Sequence, residues 1–299
     1  ELIQMDASIH DWLEARGETL VLIAMIDDAT NRIMAQFYPH STVEAHMDLL
    51  GQWLRQHGRP VALYTDRHSI FQPQDKGRAV SEGTTQFGRA LAELDIALIR
   101  AHSPQAKGRV ERLFGTLQDR WVKELRLADV RTCAEANALI PALLADYHQR
   151  FTKAAAHPKD AHRSVGHLRL DAILSIQSER VVSNDYTIRF ANQYYQLLKP
   201  VYAGERGGRV LLEERLDGSL HIRFGKHYLN YKLLAAEVAG GSTPTPPEFN
   251  ATPTSANRKD HEPEGEPSGP TGTSSPTRRS GRTPAEPYPS AGEDANKPK

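Results

Sequence analysis

The chain has 299 residues, enough for more than one domain, and its 37 basic and 37 acidic residues give a formal net charge of zero. This balance neither favours nor excludes nucleic acid as a partner, because only a local patch of charge could decide that. The single cysteine, Cys133, rules out an intrachain disulfide and favours a reducing compartment, which points to the cytoplasm. No run of about 18 apolar residues is present, which excludes an ordinary membrane-spanning helix.

The first 66 residues alternate the patterns of strands and helices. Asp27, Asp28 and Asn31 are turn residues between two apolar runs and predict a hairpin. Ser41, with Glu44 three residues later, matches a capping box and predicts a helix that continues to about residue 57. The predicted strands lie at 2–9, 20–26, 32–38 and 61–64, and the fourth ends at Asp66.

The next hundred residues continue the alternation. A helix is predicted at 84–93, a fifth strand at 96–99, a long helix that opens at Ser103-Pro104 and runs toward Leu127, and another helix at 134–150. Three strands, a helix, a strand, a helix, a strand and closing helices is the element order of an RNase H-like α/β fold. We therefore expect a five-stranded mixed sheet flanked by helices on both faces.

After residue 180 the pattern changes to short strands. Alternating or apolar runs lie at 180–188, 193–198, 209–214 and 220–224, separated by turn signals such as Asp217-Gly218. They predict a small all-β module, a barrel of SH3-like size. The last part is rich in Pro, Ser, Thr and Gly and predicts disorder. The expected domains are 1–165 for the core, 166–240 for the β-module and 241–299 for a disordered tail.

Three carboxylates occupy positions that suit a metal site. Asp6 lies inside the first strand, Asp66 at the end of the fourth, and Glu111 in the first turns of the long helix. If the first and fourth strands are neighbours, Asp6 and Asp66 lie side by side and the helix can bring Glu111 over them. Two divalent ions held by such oxygens can polarise a phosphodiester, activate the attacking hydroxyl and stabilise the leaving oxygen.

Each carboxylate also has an ordinary structural interpretation. Asp6 could bind a backbone amide, Asp66 could cap a loop, and Glu111 could be one more exposed helix residue. Asp27 and Asp28 compete as ligands, but Asp-Asp-Ala-Thr-Asn after an apolar strand is more typical of a turn. The hypothesis of a metal site therefore depends on the three residues occurring together.

Four segments resemble the catalytic core of bacterial insertion-sequence transposases of the integrase type. They are 4–6, 26–30, 64–67 and 103–112, the last reading SPQAKGRVER. That last segment is the most specific, and the run from Asp6 to Trp12 suggests the branch that fits no major named family (ISNCY-like). The resemblance covers about residues 1–165, and the β-module resembles the small barrel that follows this core in related transposases.

The resemblance implies a DDE-type transposase. Asp6, Asp66 and Glu111 would hold two Mg²⁺ or Mn²⁺ ions and catalyse DNA cleavage and strand transfer. Lys107, Arg109 and Arg112 would contact double-stranded DNA, with Lys107 one helical turn before Glu111. By analogy we also expect a homo-oligomer assembled on DNA.

The chain opens at Glu1 within a strand-like run, whereas this class usually begins with helix-turn-helix domains that read the element's ends. We therefore expect an N-terminal truncation. Two alternatives stay open. One is another RNase H-like nuclease, and the other is a catalytically silent, DNA-binding remnant of a transposase.

Overall fold

A computed structural model describes residues 2–65, 85–100, 108–157 and 159–234. The chain divides by its internal contacts into two units, Glu1–Gly241 and Ser242–Lys299, and all described residues belong to the first. The predicted tail at 241–299 therefore lies outside the described residues.

The core of the first unit is a five-stranded sheet. Its strands are β1 (Leu2–Ile9), β2 (Val21–Asp27), β3 (Ile33–Tyr38), β4 (Ala62–Thr65) and β5 (Ala97–Arg100), in the order β3-β2-β1-β4-β5. β1, β2 and β3 pair antiparallel, whereas β4 runs parallel to β1 and β5 runs parallel to β4. The predicted hairpin between β2 and β3 is confirmed, and the first and fourth strands are neighbours, which is the condition for Asp6 and Asp66 to lie side by side.

Helices cover both faces of this sheet. Ile3, Met5 and Val21 belong to one apolar cluster with α1 (Val43–His57) and α2 (Gln86–Glu93). Leu22, Ala24 and Phe37 belong to a second cluster with α3 (Gly108–Leu127) and α4 (Cys133–Phe151). The fully buried β2 contributes alternate side chains to the two clusters, as expected for a strand between two helical layers. The predicted RNase H-like architecture is confirmed. None of the described helices combines the length and apolar character needed to cross a membrane.

The predicted start of α1 was one residue too early. Thr42, not Ser41, is the N-cap, and its hydroxyl accepts a hydrogen bond from the backbone N–H of Ala45 at 3.2 Å. Glu44 therefore lies at the second helical position and cannot complete a capping box with Ser41. The two neighbouring hydroxyls are equivalent in local sequence, so the pattern alone could not choose between them. A capping box does occur at α4, between Thr132 and Glu135.

Helix α4 also protects the edge strand β3. Asn137 donates to the carbonyl of Phe37 and accepts from its N–H, both at 2.8 Å. Further along the same helix, His148 Nε2 lies 3.1 Å from the backbone nitrogen of Ile33. These contacts occupy backbone groups that an edge strand would otherwise offer to another strand.

The predicted all-β module is confirmed as two small sheets around one core that contains Ile188, Leu212 and Ile222. A short helix, α5 (Leu170–Ile173), precedes it and packs on the first cluster of the main sheet. The strands are β6 (Ile176–Val181), β7 (Thr187–Phe190), β8 (Gln193–Leu197), β9 (Arg209–Glu214), β10 (Leu220–Phe224), β11 (His227–Leu229) and β12 (Tyr231–Leu234). They form the sheets β11-β10-β9-β6 and β12-β8-β7.

The single strand predicted at 180–188 was wrong. The structure has a turn there, because Asp185 accepts from the N–H of Thr187 at 3.1 Å and Tyr186 has φ 61°. This local hydrogen bond competes with the strand ladder, so the chain changes sheets between β6 and β7. The predicted boundary between residues 165 and 166 stays a prediction.

Candidate functional site

One face of β1 is polar although the strand crosses the middle of the sheet. Gln4, Asp6 and Ser8 alternate along the strand with the apolar Ile3 and Met5, so the three polar side chains share a face. Gln4 and Ser8 are buried, whereas Asp6 is partly exposed. Burying polar groups costs free energy unless they are hydrogen-bonded, so partners must lie on that face.

Helix α3 supplies two of these partners. Gln4 Oε1 accepts a hydrogen bond from the backbone N–H of Val110 at 3.3 Å. At the other end of the polar face, Gln118 Nε2 donates to Ser8 Oγ at 3.0 Å. The helix therefore runs along β1 in the same direction, and Asp6 lies on the strand between the two attachment points.

Glu111 lies on the exposed side of α3, in line with the residue that attaches the helix to this polar row. Glu111, Gly115 and Gln118 recur at i, i+4 and i+7, so they form one stripe on the helix surface. Gln118 contacts Ser8, which turns the stripe toward β1. The exposed Glu111 follows directly after Val110, whose N–H is bound to Gln4. The structure thus attaches the helix that carries Glu111 to the strand that carries Asp6, and the pairing of the two carboxylates stays a prediction.

The described donors suit a hard cation. Asp6 Oδ1 accepts a hydrogen bond from the N–H of Ala7 at 2.9 Å, which helps to hold the carboxylate in place. Mg²⁺ prefers a few carboxylate oxygens and retains several waters, so Asp6 and Glu111 are ligands of the right chemistry. Within the described ranges no three His, Cys, Asp or Glu side chains are grouped as metal ligands. The third predicted carboxylate, Asp66, follows the last residue of β4 and lies outside the described residues.

The competing acids at the β2–β3 turn have structural roles. Asp27 is 6% exposed and accepts hydrogen bonds from the N–H of Ala29 at 3.0 Å and the hydroxyl of Thr30 at 2.5 Å. Asp28 forms an ion pair with Arg109 and accepts from Gln4 Nε2 at 3.1 Å. The turn interpretation of Asp27 and Asp28 is confirmed.

The predicted DNA-binding residues differ in their surroundings. Arg109 is bound to Asp28, and its Nη1 also donates to Asn31 at 3.2 Å. Arg112 is exposed, and its Nε donates to the carbonyl of Gly108 at 2.7 Å within the same helix. Lys107 lies outside the described residues. In the structure, Arg109 is therefore held by other residues of the fold, whereas Arg112 is exposed to solvent.

Gln4, Ser8 and Gln118 join β1 to α3, and sequence reasoning missed them. The alternation of polar residues around Asp6 was visible in the sequence and marked one face of β1 as different from the other. Their partners could not be inferred, because more than one hundred residues separate Ser8 from Gln118 along the chain.

Comparison with known proteins identifies relatives over most of the chain. No protein-family model matches the sequence. A putative transposase of Sinorhizobium fredii, y4bF, is 38% identical over 237 residues, which are 78% of this chain and 52% of that protein. The transposase for insertion sequence IS1202 of Streptococcus pneumoniae is 35% identical over 258 residues, which are 83% of this chain and 54% of that protein. The chain spans about half the length of these curated relatives, and the resemblance to bacterial transposases is confirmed.

Among solved structures, the catalytic core domain of HTLV-2 integrase in complex with magnesium has a TM-score of 0.39 and 17% identity, with 50% of this chain and 87% of that chain covered. The simian T-cell lymphotropic virus intasome in complex with PP2A regulatory subunit B56 gamma has a TM-score of 0.41 and 16% identity, with 74% of this chain and 75% of that chain covered. These overlaps are too loose to define the fold, which the strand order defines directly.

Proposed function

We propose that this chain, a relative of bacterial transposases over about four fifths of its length, is the catalytic part of a DDE-type transposase. It would cleave DNA at the 3′ ends of an insertion sequence and join those ends to target DNA. Asp6, Asp66 and Glu111 would be its catalytic carboxylates.

The observation that carries this proposal is that α3, which carries Glu111, is hydrogen-bonded to both ends of the polar row that contains Asp6. Asp6 is the partly exposed member of the polar row on β1, and Glu111 lies on the stripe of α3 that is attached to that row through Gln118. A carboxylate on a central strand costs free energy unless charges or hydrogen bonds compensate it, and a bound cation would supply such a charge.

The strand register supports Asp66 as the third carboxylate. Gln4 of β1 pairs in parallel with Tyr64 of β4, and Asp6 and Asp66 each follow two residues later in sequence. Because β1 and β4 run parallel, residues two positions after this pair are expected at the same level of the sheet, which favours Asp6 and Asp66 as neighbouring carboxylates. Crowded acids of this kind repel one another unless a cation compensates them, so the set suits a metal site better than a structural one.

Two divalent ions, when bound, would polarise the phosphodiester and stabilise the charge that develops on its oxygens. The carboxylates would hold those ions, and the bonds from Gln4 and Gln118 would fix α3 and therefore Glu111 against β1. In the first step water attacks phosphorus and gives up a proton, the bond to the element's 3′-oxygen breaks, and that oxygen takes up a proton to become a 3′-hydroxyl. In the second step this hydroxyl attacks a target phosphodiester and gives up its proton, while the target's own 3′-oxygen leaves and takes up a proton.

The partners of this activity would be double-stranded DNA at the element ends and in the target. Lys107 and Arg112 would contact the DNA backbone, whereas the ion pair with Asp28 suits Arg109 to holding the start of α3 in place. Such phosphate contacts position DNA without reading its sequence. Joining two ends requires two active sites, so a homo-oligomer on DNA belongs to the same proposal.

A strand-transfer assay tests the proposal directly. A pre-cut DNA end and a plasmid are incubated with Mg²⁺ or Mn²⁺ and with either the unmodified chain or one of its variants. The variants are Asp6→Asn, Asp66→Asn, Glu111→Gln and Glu124→Gln. Glu124 is an exposed acid on the same helix and serves as the matched control. We expect joining in the chain and the control, and none in the three catalytic variants.

Calorimetric titration with Mn²⁺ separates the alternatives. A folded chain that neither joins DNA nor binds Mn²⁺ would be a silent remnant. Metal-dependent cutting of RNA–DNA hybrids or junctions without any joining would instead identify another RNase H-like nuclease. Mn²⁺ binding that Glu111→Gln weakens and Glu124→Gln leaves unchanged supports the proposed ligand set.

A further inference from the structure

The flank of α3 opposite Glu111 carries a pocket of about 230 Å³. Pockets that hold drug-sized ligands measure roughly 300–1,000 Å³, so this one suits a compact group. Its apolar floor comes from Ile26 and Leu113, and its polar rim comes from Asn31, Arg109, Arg112 and Thr116.

The helix repeat places this pocket away from the catalytic carboxylate. Arg109, Arg112 and Thr116 recur at i, i+3 and i+7 and form one stripe, while Glu111 and Gly115 belong to the stripe that faces β1. At about 100° per residue, Arg109 and Thr116 lie about 140–160° around the helix from Glu111 and Arg112 lies about 100° from it, on a helix roughly 10–12 Å wide. A group in the pocket would therefore be separate from the group that Glu111 reaches.

The pocket has a surplus of positive charge. The charge of Arg109 is compensated by Asp28, and Asn31 accepts a further hydrogen bond from the same guanidinium. Arg112 donates to the carbonyl of Gly108, and no acidic side chain in the described ranges forms an ion pair with it. Its remaining N–H donors form a planar fork that matches the oxygens of a phosphate.

We propose that this pocket binds a backbone phosphodiester of DNA other than the scissile one, with Arg112 as its charged contact and Arg109 as a positioning residue. The inference rests on the proposed function, because it assumes that the DNA lies across the start of α3. Ile26 and Leu113 would pack against the adjoining sugar, and the phosphate oxygens would face Arg112. DNA held on both flanks of the helix cannot rotate about the scissile bond, so the pocket would orient the strand for cleavage.

The experiment measures binding without divalent metal, so that it does not depend on catalysis. A labelled DNA duplex is titrated with the chain by fluorescence anisotropy at several salt concentrations between about 50 and 200 mM. The variants are Arg112→Gln, Arg112→Lys, Thr116→Leu and Arg120→Gln. Arg120 lies on the same helix outside the pocket lining and is the matched control for loss of one positive charge.

We expect Arg112→Gln to weaken binding equally for different DNA sequences and to lower the slope of log Kd against log salt by about 0.9, which corresponds to one phosphate contact. Arg112→Lys should restore most of the slope, and Arg120→Gln should leave it unchanged. Thr116→Leu keeps every charge but fills the pocket, so it should lower the slope as Arg112→Gln does. A charged surface without a binding pocket would not respond to Thr116→Leu.

The inference is overturned if the chain does not bind duplex DNA, if Arg112→Gln and Arg120→Gln have the same slope, or if Thr116→Leu binds like the unmodified chain. These outcomes differ from failure of the proposed function. A chain that shows the expected slopes but never joins DNA keeps the pocket and loses the catalytic proposal. If Glu111→Gln abolishes joining while Arg112→Gln changes neither joining nor the salt slope, the catalytic proposal is kept and the pocket is lost.

Discussion

The two faces of β1 differ although they belong to one strand of eight residues. Ile3 and Met5 are fully buried against α1 and α2 and belong to a purely apolar cluster. Gln4 and Ser8, on the opposite face, are attached to α3 by hydrogen bonds and leave Asp6 partly exposed between them. One face stabilises the fold by burial, and the other fixes the position of a helix that carries the second candidate ligand.

This division explains how a central strand can carry a charged residue. Apolar burial is non-directional, whereas a hydrogen bond requires a donor and an acceptor within about 3.5 Å and in line. Polar attachments are therefore suited to holding Glu111 near Asp6, and apolar ones to supplying stability. Changes on the two faces should have separable effects.

Substitutions of the neighbouring residues Met5 and Asp6, which lie on opposite faces of β1, should differ most in their effects on stability and on strand transfer. Met5→Ala removes a side chain with no exposure and should lower the free energy of unfolding by about 2–5 kcal/mol, because it leaves a cavity. Asp6→Asn keeps an oxygen that can accept from Ala7 and should change stability by less than about 1 kcal/mol, while abolishing strand transfer. Urea denaturation and the joining assay measure both. Equal destabilisation by the two variants would contradict the division of roles.

Gln4→Leu tests whether the polar attachment holds α3. The variant keeps the volume but removes the bonds to Val110 and Asp28, so it should cost about 1–3 kcal/mol. Joining should fall further than binding of duplex DNA, because the start of α3 loses its position against Asp6. Stability is measured by urea denaturation and binding by anisotropy. An intact joining rate in a destabilised variant would mean that Gln4 contributes to stability alone.

Alanine substitutions at a glycine in α3 and at a glycine in α1 compare how tightly the two helical layers are packed. A Cβ added at Gly115 of α3 would meet no atom within 4 Å, so Gly115→Ala should stabilise the chain by about 0.5–1 kcal/mol through helix propensity. At Gly51 of α1 the added Cβ would lie 3.0 Å from Leu174 and 3.1 Å from Arg55, which should cancel that gain. Thermal unfolding of Gly115→Ala and Gly51→Ala measures the difference. A larger gain at Gly51 would show that the apolar layer is less tightly packed than described.

The smallest effect is expected from pH. Burial, followed by the charges of Arg32 and His162, lowers the pKa of His57 below its usual value. The neutral imidazole is therefore favoured in the folded chain, and its contribution to stability is present above the unfolded pKa of about 6.5 and is lost as the pH falls through the lower folded pKa. His57 packs on Trp53 at 4.6 Å between ring centroids, so tryptophan fluorescence can follow unfolding across this range. His57→Gln should flatten the acid side of the stability profile, and an unchanged profile would assign the pH dependence to other groups.

Several elements were predictable because their signals are local. The apolar runs predicted five strands within one or two residues, and β1, β9 and β10 have the predicted bounds. The errors occurred where neighbouring residues compete for one role. Ser41 and Thr42 offer the same hydroxyl, and the side chain of Asp185 replaced a strand hydrogen bond with a turn. In both cases the choice depends on a difference in free energy that a residue pattern does not contain.

The alternation of polar and apolar residues in β1, the acids Asp6 and Glu111 and the order of strands and helices can all be read from the residues alone. The contact of Gln118 with Ser8, the ion pair of Arg109 with Asp28 and the pocket lined by Arg112 appear only in the folded chain. The two groups of features differ in the distance along the chain over which they act. Periodicity and capping act between residues a few positions apart, whereas these pairings join residues about 80 to 110 positions apart and exist only after the sheet has fixed where α3 lies.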